Sequence, residues 1–393
     1  MWNQIFGVGE LDGAAFTRLV AKEGVKRGVL AAPQVDAAAM VIRNGATVFN
    51  LKKVHREFLN LPRRDRLAYV RDHVLEVFAP IDESTSSWES MRPHLRPVIR
   101  HASYLVHANL ATRLQGHEVK PLATQIAPDL YVTLVIDEPT RMLVPTTELL
   151  EAWKVSFEEA YIVAVGNLAK TGLGVTPFGE GLWMLPSLDD YTTSWILVKS
   201  LLRKLCPNAL VAVPAYDAMV IADPSVATAR DTLLTLMLPS EDGKNPITHQ
   251  IYQLEGDDLV RWTPTSHNEH LLDAYKRGLL LEQGRHYAVE HRMRLELETD
   301  DGYYAQQMVL ETPTGVFVTR TTWTHGIVSY LPPAEAIVFM MHPNTPAQRA
   351  WEVEWNTVAT AGFLTRIDSP LARWRTSEFP PIAWLEKHAT RQN

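Results

Sequence analysis

One succession of elements is spelled twice along this chain. In AMVIRNGATVFNL two apolar runs flank Asn44 and Gly45, the pair best suited to the positive φ angles of a type I′ turn, and together they predict a hairpin. Leu51, Val54, Phe58 and Leu59 then recur at helical spacing, and Pro62 is placed to open a second helix carrying Leu67, Val70, Val74 and Phe78 inward. LRPVIR reads as a short strand and ASYLVHANLATRL as a helix. About 95 residues later the order returns. DLYVTLVIDEPTRMLVP is a hairpin, TTELLEAW and SFEEAYIVAVGNLAK are helices, GLWML is a strand and YTTSWILVKSLLRKL a helix. Ser156 and Glu159 have capping-box spacing, in which paired side chains satisfy free helix amides. Under this offset Val54 meets Leu149, Phe58 meets Trp153 and Val70 meets Val165. Two explanations stay open: an internal duplication, or amphipathic helices that slide into register by coincidence.

The rest of the chain changes texture. Asp12 with Ala14, Phe16, Leu19 and Val20 predicts a short opening helix. Beyond Leu205, NALVAVP and DAMVIA predict strands, SVATARDTLLTLM a helix, and PITHQIYQLEGDDLVRW a hairpin turning at Glu255 to Asp258. A helix is expected over residues 268–282. From His291 onward Met293, Leu295 and Leu297 alternate with Arg294, Glu296 and Glu298, which predicts a strand. Turns at Asp300 to Gly302 and at Thr314 to Gly315 extend it into an antiparallel meander ending near Met341. Trp351, Trp355, Trp374 and Trp384 follow among polar residues, with a short helix after Pro380 and Pro381. The expected fold class is α+β: hairpin-helix-helix-strand-helix units, duplicated on one reading, followed by a strand-rich antiparallel C-terminal domain.

VFNLKKVHREF, LRPVIRHASY, VSFEEAYIVAVGNLAK, GLWMLPSLDDYTTSWIL, ALVAVPAYDAMVIADP and PITHQIYQLEGDDLVRW occur in this order over residues 40–262. In these segments the chain resembles the YtpQ-like bacterial family, a group named only as a domain of unknown function. The resemblance implies a shared fold and brings no reaction, cofactor or catalytic residue. A chain of 393 residues exceeds the size at which a single core stops growing. The expected divisions are two α+β halves over residues 1–125 and 126–265, and a strand-rich domain over 285–393.

Ordinary globular composition, with 46% apolar and 21% charged residues, and a formal charge of −7 give no global reason to bind nucleic acid or an anionic membrane. The single cysteine, Cys206, can form neither an intrachain disulfide nor a CxxC pair, and no leader or membrane-spanning run is recognised, so a cytoplasmic protein is expected. No cofactor or metal is expected either. TGLGVTPFGEG places Pro177 and Phe178 where a phosphate loop wants small residues, and no GxSxG elbow is present. His117 and Glu118 lack a second histidine at metalloprotease spacing, and His267, Glu269 and His270 lack a third ligand elsewhere. The candidate site is the strand-to-helix junction at 181–191. Asp189 and Asp190 would bind a cation or exchange a proton there, beside Tyr191; as a bland alternative they cap the following helix, with Tyr191 in its core stripe. Arg96 and Arg100 share one side of the LRPVIR strand, where they suit an anion, or where Arg100 pairs with Asp189 to hold the two halves together. Lys52, Lys53, Arg56, Arg63, Arg64 and Arg66 form a basic run with few aromatics, more a solvated face than a nucleic-acid surface. The function expected is a non-catalytic interaction or regulatory protein whose partner is another protein, the Trp-rich tail supplying contact surface. The alternative is a hydrolase-like enzyme using the acidic junction.

Overall fold

Asp12 acts as an N-cap: its carboxylate accepts the Ala15 amide at 2.7 Å and starts the helix Gly13–Lys26. The computed structural model describes residues 11–38, 40–44, 47–74, 87–116, 120–138, 142–172, 174–185, 191–215, 218–239, 247–297 and 302–392. These fall into two units, Met1–Leu95 with Val135–Ala160, and Arg96–Leu134 with Tyr161–Asn393.

In the first unit, strands Val41–Asn44 and Thr47–Asn50 pair antiparallel with Asn44 opposite Thr47, so the expected hairpin is present but Asn44 ends its first strand instead of standing in the turn; Gly45 lies outside the described residues. Gln34–Asp36 adds a third strand. Phe16, Val20, Leu30, Ile42, Phe58 and Val70 bury one cluster between this sheet and the helices Gly13–Lys26 and Lys52–Asn60. The next helix starts later than Pro62 suggests: a short turn Arg66–Tyr69 passes into a π-helical stretch Val70–Val74, and Phe78 lies outside the described residues. Leu59 is exposed rather than inward. Arg66 leaves the basic run altogether. It is 8% exposed, donates to the carbonyls of Leu59 and Leu61 at 2.7 and 3.0 Å, and lies over the Phe58 ring, satisfying the end of the preceding helix. The Ser156 and Glu159 capping box forms as read: Ser156 Oγ accepts the Glu159 amide, and Glu159 Oε2 accepts the Ser156 amide at 2.8 Å.

The second unit begins at Arg96, inside the strand Leu95–His101, which leads into the helix Ala102–Leu114. A six-stranded antiparallel sheet runs in the order Asp258–Arg261, Tyr252–Glu255, Leu210–Ala215, Ala218–Ala222, Leu182–Leu185 and Thr176–Gly179. Leu210, Ala212, Val220, Leu233, Ile251 and Tyr275 bury its helix-covered face. YTTSWILVKSLLRKL is not one helix. Its first six helical residues, Thr192–Leu197, form a 3-10 turn in which every side chain is buried, and the α-helix proper is Lys199–Leu205. With no solvent-facing side the segment has no use for amphipathic periodicity; instead Ser194 Oγ anchors it to the Pro97 carbonyl at 2.7 Å.

The largest departure from expectation is the helix Glu269–Glu296, which runs 28 residues and takes in the stretch read as a strand from His291. Its buried stripe is Tyr275, Gly278, Glu282, Gly284, Tyr287, Glu290 and His291, whereas Leu295 is 58% exposed. Polar groups face inward, so apolar alternation at 293–297 points to the wrong period. Beyond it the chain is strand-rich, and the fold is mixed α+β. The strands do not form a simple meander. Ser329–Leu331 leaves for a second sheet, so the chain re-enters the first sheet from the same end, and Phe317–Thr324 pairs parallel with Ala336–Met341. The tryptophans are largely interior: Trp323 and Trp351 are 1% exposed, Trp355 packs edge-on to Trp374, and Trp384 edge-on to Phe363. Trp355, Trp374 and Trp384 are half-buried, each with one face packed and part of the ring at the surface.

Candidate functional site

The junction singled out in the sequence is described only at its edges, residues 181–185 and Tyr191. Asp189 and Asp190 lie outside the described residues, and so does any contact between Asp189 and Arg100. Tyr191 is 5% exposed in the core, and its carbonyl accepts the Ser194 amide. Arg96 and Arg100 sit on Leu95–His101, and the Arg100 guanidinium donates to Ile99 O and lies 4.8 Å over the Tyr104 ring. His117 and Glu118 are outside the described residues, while Asn268 caps the helix beside His267, Glu269 and His270. Among the described residues no group of three or more His, Cys, Asp or Glu side chains could hold a metal ion.

A cavity of about 890 Å³ in the second unit brings together a different set. His101 stands at the N-cap of Ala102–Leu114, where the Ser103 amide donates to its Nδ1 at 3.1 Å. That bond makes Nδ1 an acceptor and places the ring proton of the neutral imidazole on Nε2. Burial, and then the neighbouring His286, push the His101 pKa down to about 4, so it is uncharged near neutrality. The His286 ring stacks on it, with centroids 4.4 Å apart at an interplanar angle of 24°.

His286 belongs to the long helix, one turn after Glu282. Glu282 is 6% exposed. Its Oε2 accepts the His249 amide at 2.9 Å and the Thr248 hydroxyl at 3.3 Å; His249 Nδ1 lies 3.3 Å from Oε2 and His286 Nε2 3.8 Å from Oε1. Burial alone raises a carboxyl pKa, but the contacts from His249 and His286 outweigh it and hold Glu282 below the carboxylate range, hence ionised. The helix is held here by packing: Ala102, Val106 and Leu110 meet Tyr287 and Leu371 in one buried cluster.

On the wall, Arg261 grips Asp129 through Nε at 3.0 Å and Nη2 at 2.6 Å, while the Asp129 carbonyl accepts the Ala102 amide at 2.8 Å. Arg366, 5.8 Å from the Trp374 ring centroid, and Asp368 complete the rim with opposite charges. One turn beyond His286, Glu290 and Arg373 form an ion pair in which both side chains are 0% exposed. Arg373 donates to Glu290 Oε2 through Nε and Nη2, and through Nη1 to the carbonyls of Ala305 and Tyr330. Arg294 takes the other Glu290 oxygen at 2.9 Å.

Neither Tyr191, Arg96 nor Arg100 lines the cavity. The residues that do come from separate segments spread between His101 and Trp374, and no local motif unites them. One signal is present in the sequence: Glu282, His286, Glu290 and Arg294 recur every four residues, a charged stripe on one helical face. No family model, no curated protein and no solved structure matches this chain.

Proposed function

We propose that this is a non-catalytic regulatory protein that senses a small polar ligand in the Glu282 cavity and relays its presence to a protein partner. The observation that carries the reading is the cavity itself. Its volume of about 890 Å³ lies in the range of small-molecule sites, and an ionised carboxylate with two stacked imidazoles stands at its floor. A cytoplasmic setting belongs to the same proposal and is supported by the one cysteine, Cys206, being buried and unpaired. No helix among the described residues is long and apolar enough to cross a membrane. Membership of the YtpQ-like family is likewise proposed, for residues 40–262.

The test is a thermal-shift screen of the full chain against small polar compounds, followed by calorimetry on wild type and on Ser369→Trp, which places an indole on the cavity wall. Hits that Ser369→Trp abolishes support the reading; hits that it leaves untouched, or a screen without hits, refute it. A second reading is acid-base catalysis, favoured by His286 Nε2 lying 3.8 Å from Glu282 Oε1 beside the Nε2–H of His101. NMR of a bound compound over hours would separate the two, since only an enzyme converts it.

A further inference from the structure

Charge is distributed unevenly between the floor and the rim of the cavity. At the rim, the Arg261 guanidinium is engaged by both oxygens of Asp129, and Arg366 and Asp368 are exposed charges of opposite sign. At the floor, Glu282 is 6% exposed and its Oε2 is filled by the His249 amide and the Thr248 hydroxyl. Its Oε1 receives no hydrogen bond from the described residues: His286 Nε2 faces it at 3.8 Å, beyond hydrogen-bond distance, and is buried without a hydrogen-bond partner. The cavity therefore presents a carboxylate oxygen with unused acceptor capacity, beside the stacked rings of His101 and His286.

We propose that the floor recognises an organic cation, an amine or amidinium group whose N–H donates to Glu282 Oε1 while the remainder of the ligand lies along Tyr287 and Trp374. This rests on the reading that the cavity binds a small ligand, and it narrows the class. A cation supplies the donor that Oε1 lacks and offsets a buried negative charge, and a charge-assisted hydrogen bond of this kind is stronger than a neutral one. A ligand with an anionic group would meet Glu282 with like charge and could engage Arg261 only in competition with Asp129. A neutral amide would satisfy the geometry of Oε1 without offsetting its charge.

Three probes of one shape separate these cases: benzamidine, benzamide and benzoate, titrated calorimetrically into the full chain at millimolar concentration. The expected result is that benzamidine binds at least tenfold more tightly than benzamide, a difference of about 1.4 kcal/mol, and that benzoate does not bind. Glu282→Gln should bring benzamidine down to the benzamide level, and Ser369→Trp should remove binding at the same site. The wild-type comparison decides the matter even if Glu282→Gln fails to fold. Benzamide or benzoate binding as tightly as benzamidine overturns the cation assignment, as does the absence of benzamidine binding or benzamidine binding that Ser369→Trp leaves intact. Any of these leaves the wider screen to decide whether the cavity binds ligands at all.

Discussion

Replacing Arg373 by Met is the sharpest test of how the long helix is held. The guanidinium is fully buried and makes four hydrogen bonds: two to Glu290 Oε2 at 3.2 and 2.9 Å, and one each to Ala305 O at 2.6 Å and Tyr330 O at 2.9 Å. It also lies 4.5 Å from the centroid of the Tyr287 ring. Methionine keeps much of the apolar volume and none of the donors. Breaking a buried ion pair from one side costs about 3 to 5 kcal/mol, because the remaining charge stays desolvated. Arg294 still serves Glu290 Oε1, which favours the low end, whereas Ala305 O loses its side-chain donor and adds about 1 kcal/mol. The sum is about 4 kcal/mol, a large fraction of the roughly 5 to 15 kcal/mol that stabilises a domain. Urea unfolding followed by tryptophan fluorescence and far-UV circular dichroism reads it directly. The double variant Glu290→Met with Arg373→Met removes both charges and should recover about 2 kcal/mol relative to Arg373→Met alone. A loss below about 1 kcal/mol in the single variant, or strict additivity in the cycle, would refute the ion pair as the element that holds the helix.

Three further outcomes follow from local geometry. His101 has a folded pKa of about 4 against the ordinary 6.5, so the unfolded chain binds more protons between these values; its contribution is complete above about pH 6.5 and is lost as pH falls toward 4. Wild type should lose about 2 kcal/mol from this group between pH 7.5 and 5, and His101→Asn, which keeps an N-cap acceptor, should show a flatter profile in urea melts; equal slopes would contradict the assignment. Ser156→Ala removes the hydroxyl that accepts the Glu159 amide and should cost about 1 kcal/mol in the same assay, with no change expected in ligand binding. Gly181 has φ +65°, and a Cβ there would come within 2.8 Å of Val226 Cγ2, so Gly181→Ala should lower stability by about 2 kcal/mol; a neutral result would show that this turn relaxes freely.

What could be read from the sequence was whatever is encoded within a few neighbours. Asn44 and Gly45 announce their hairpin, Ser156 and Glu159 their helix start, and Glu255 to Asp258 the turn between Leu254 and Leu259, because each depends on backbone or side-chain chemistry inside one turn. The end of the long helix was not readable. Glu290 and His291 are buried there while Leu295 is exposed, which inverts the pattern on which periodicity relies. The tryptophans of the tail look like surface residues among polar neighbours, yet their partners, such as Phe363 for Trp384, come from other strands and loops. The cavity escaped for the same reason. His101 and Glu282 acquire their properties from each other and from Ser103, Thr248 and His249, and desolvation by a folded environment leaves no mark on composition. Asp189 and Asp190 lie outside the described residues, and their adjacency in sequence suits catalysis and helix capping alike.

Glu282, His286, Glu290 and Arg294 occupy a single face of one helix, so the acceptor at the cavity floor and the buried ion pair lie eight residues apart, about 12 Å along a rigid rod. The two places also share a contact, because Tyr287 lines the cavity and lies under the Arg373 guanidinium. Coupling between binding free energies is reciprocal: whatever factor a bound cation applies to the strength of the Glu290 to Arg373 contact, that contact applies to the affinity for the cation. A bound cation's effect on unfolding in the Arg373 variants would report that coupling as a measured number, and a factor other than one would make the ion pair a remote tuning screw for the cavity.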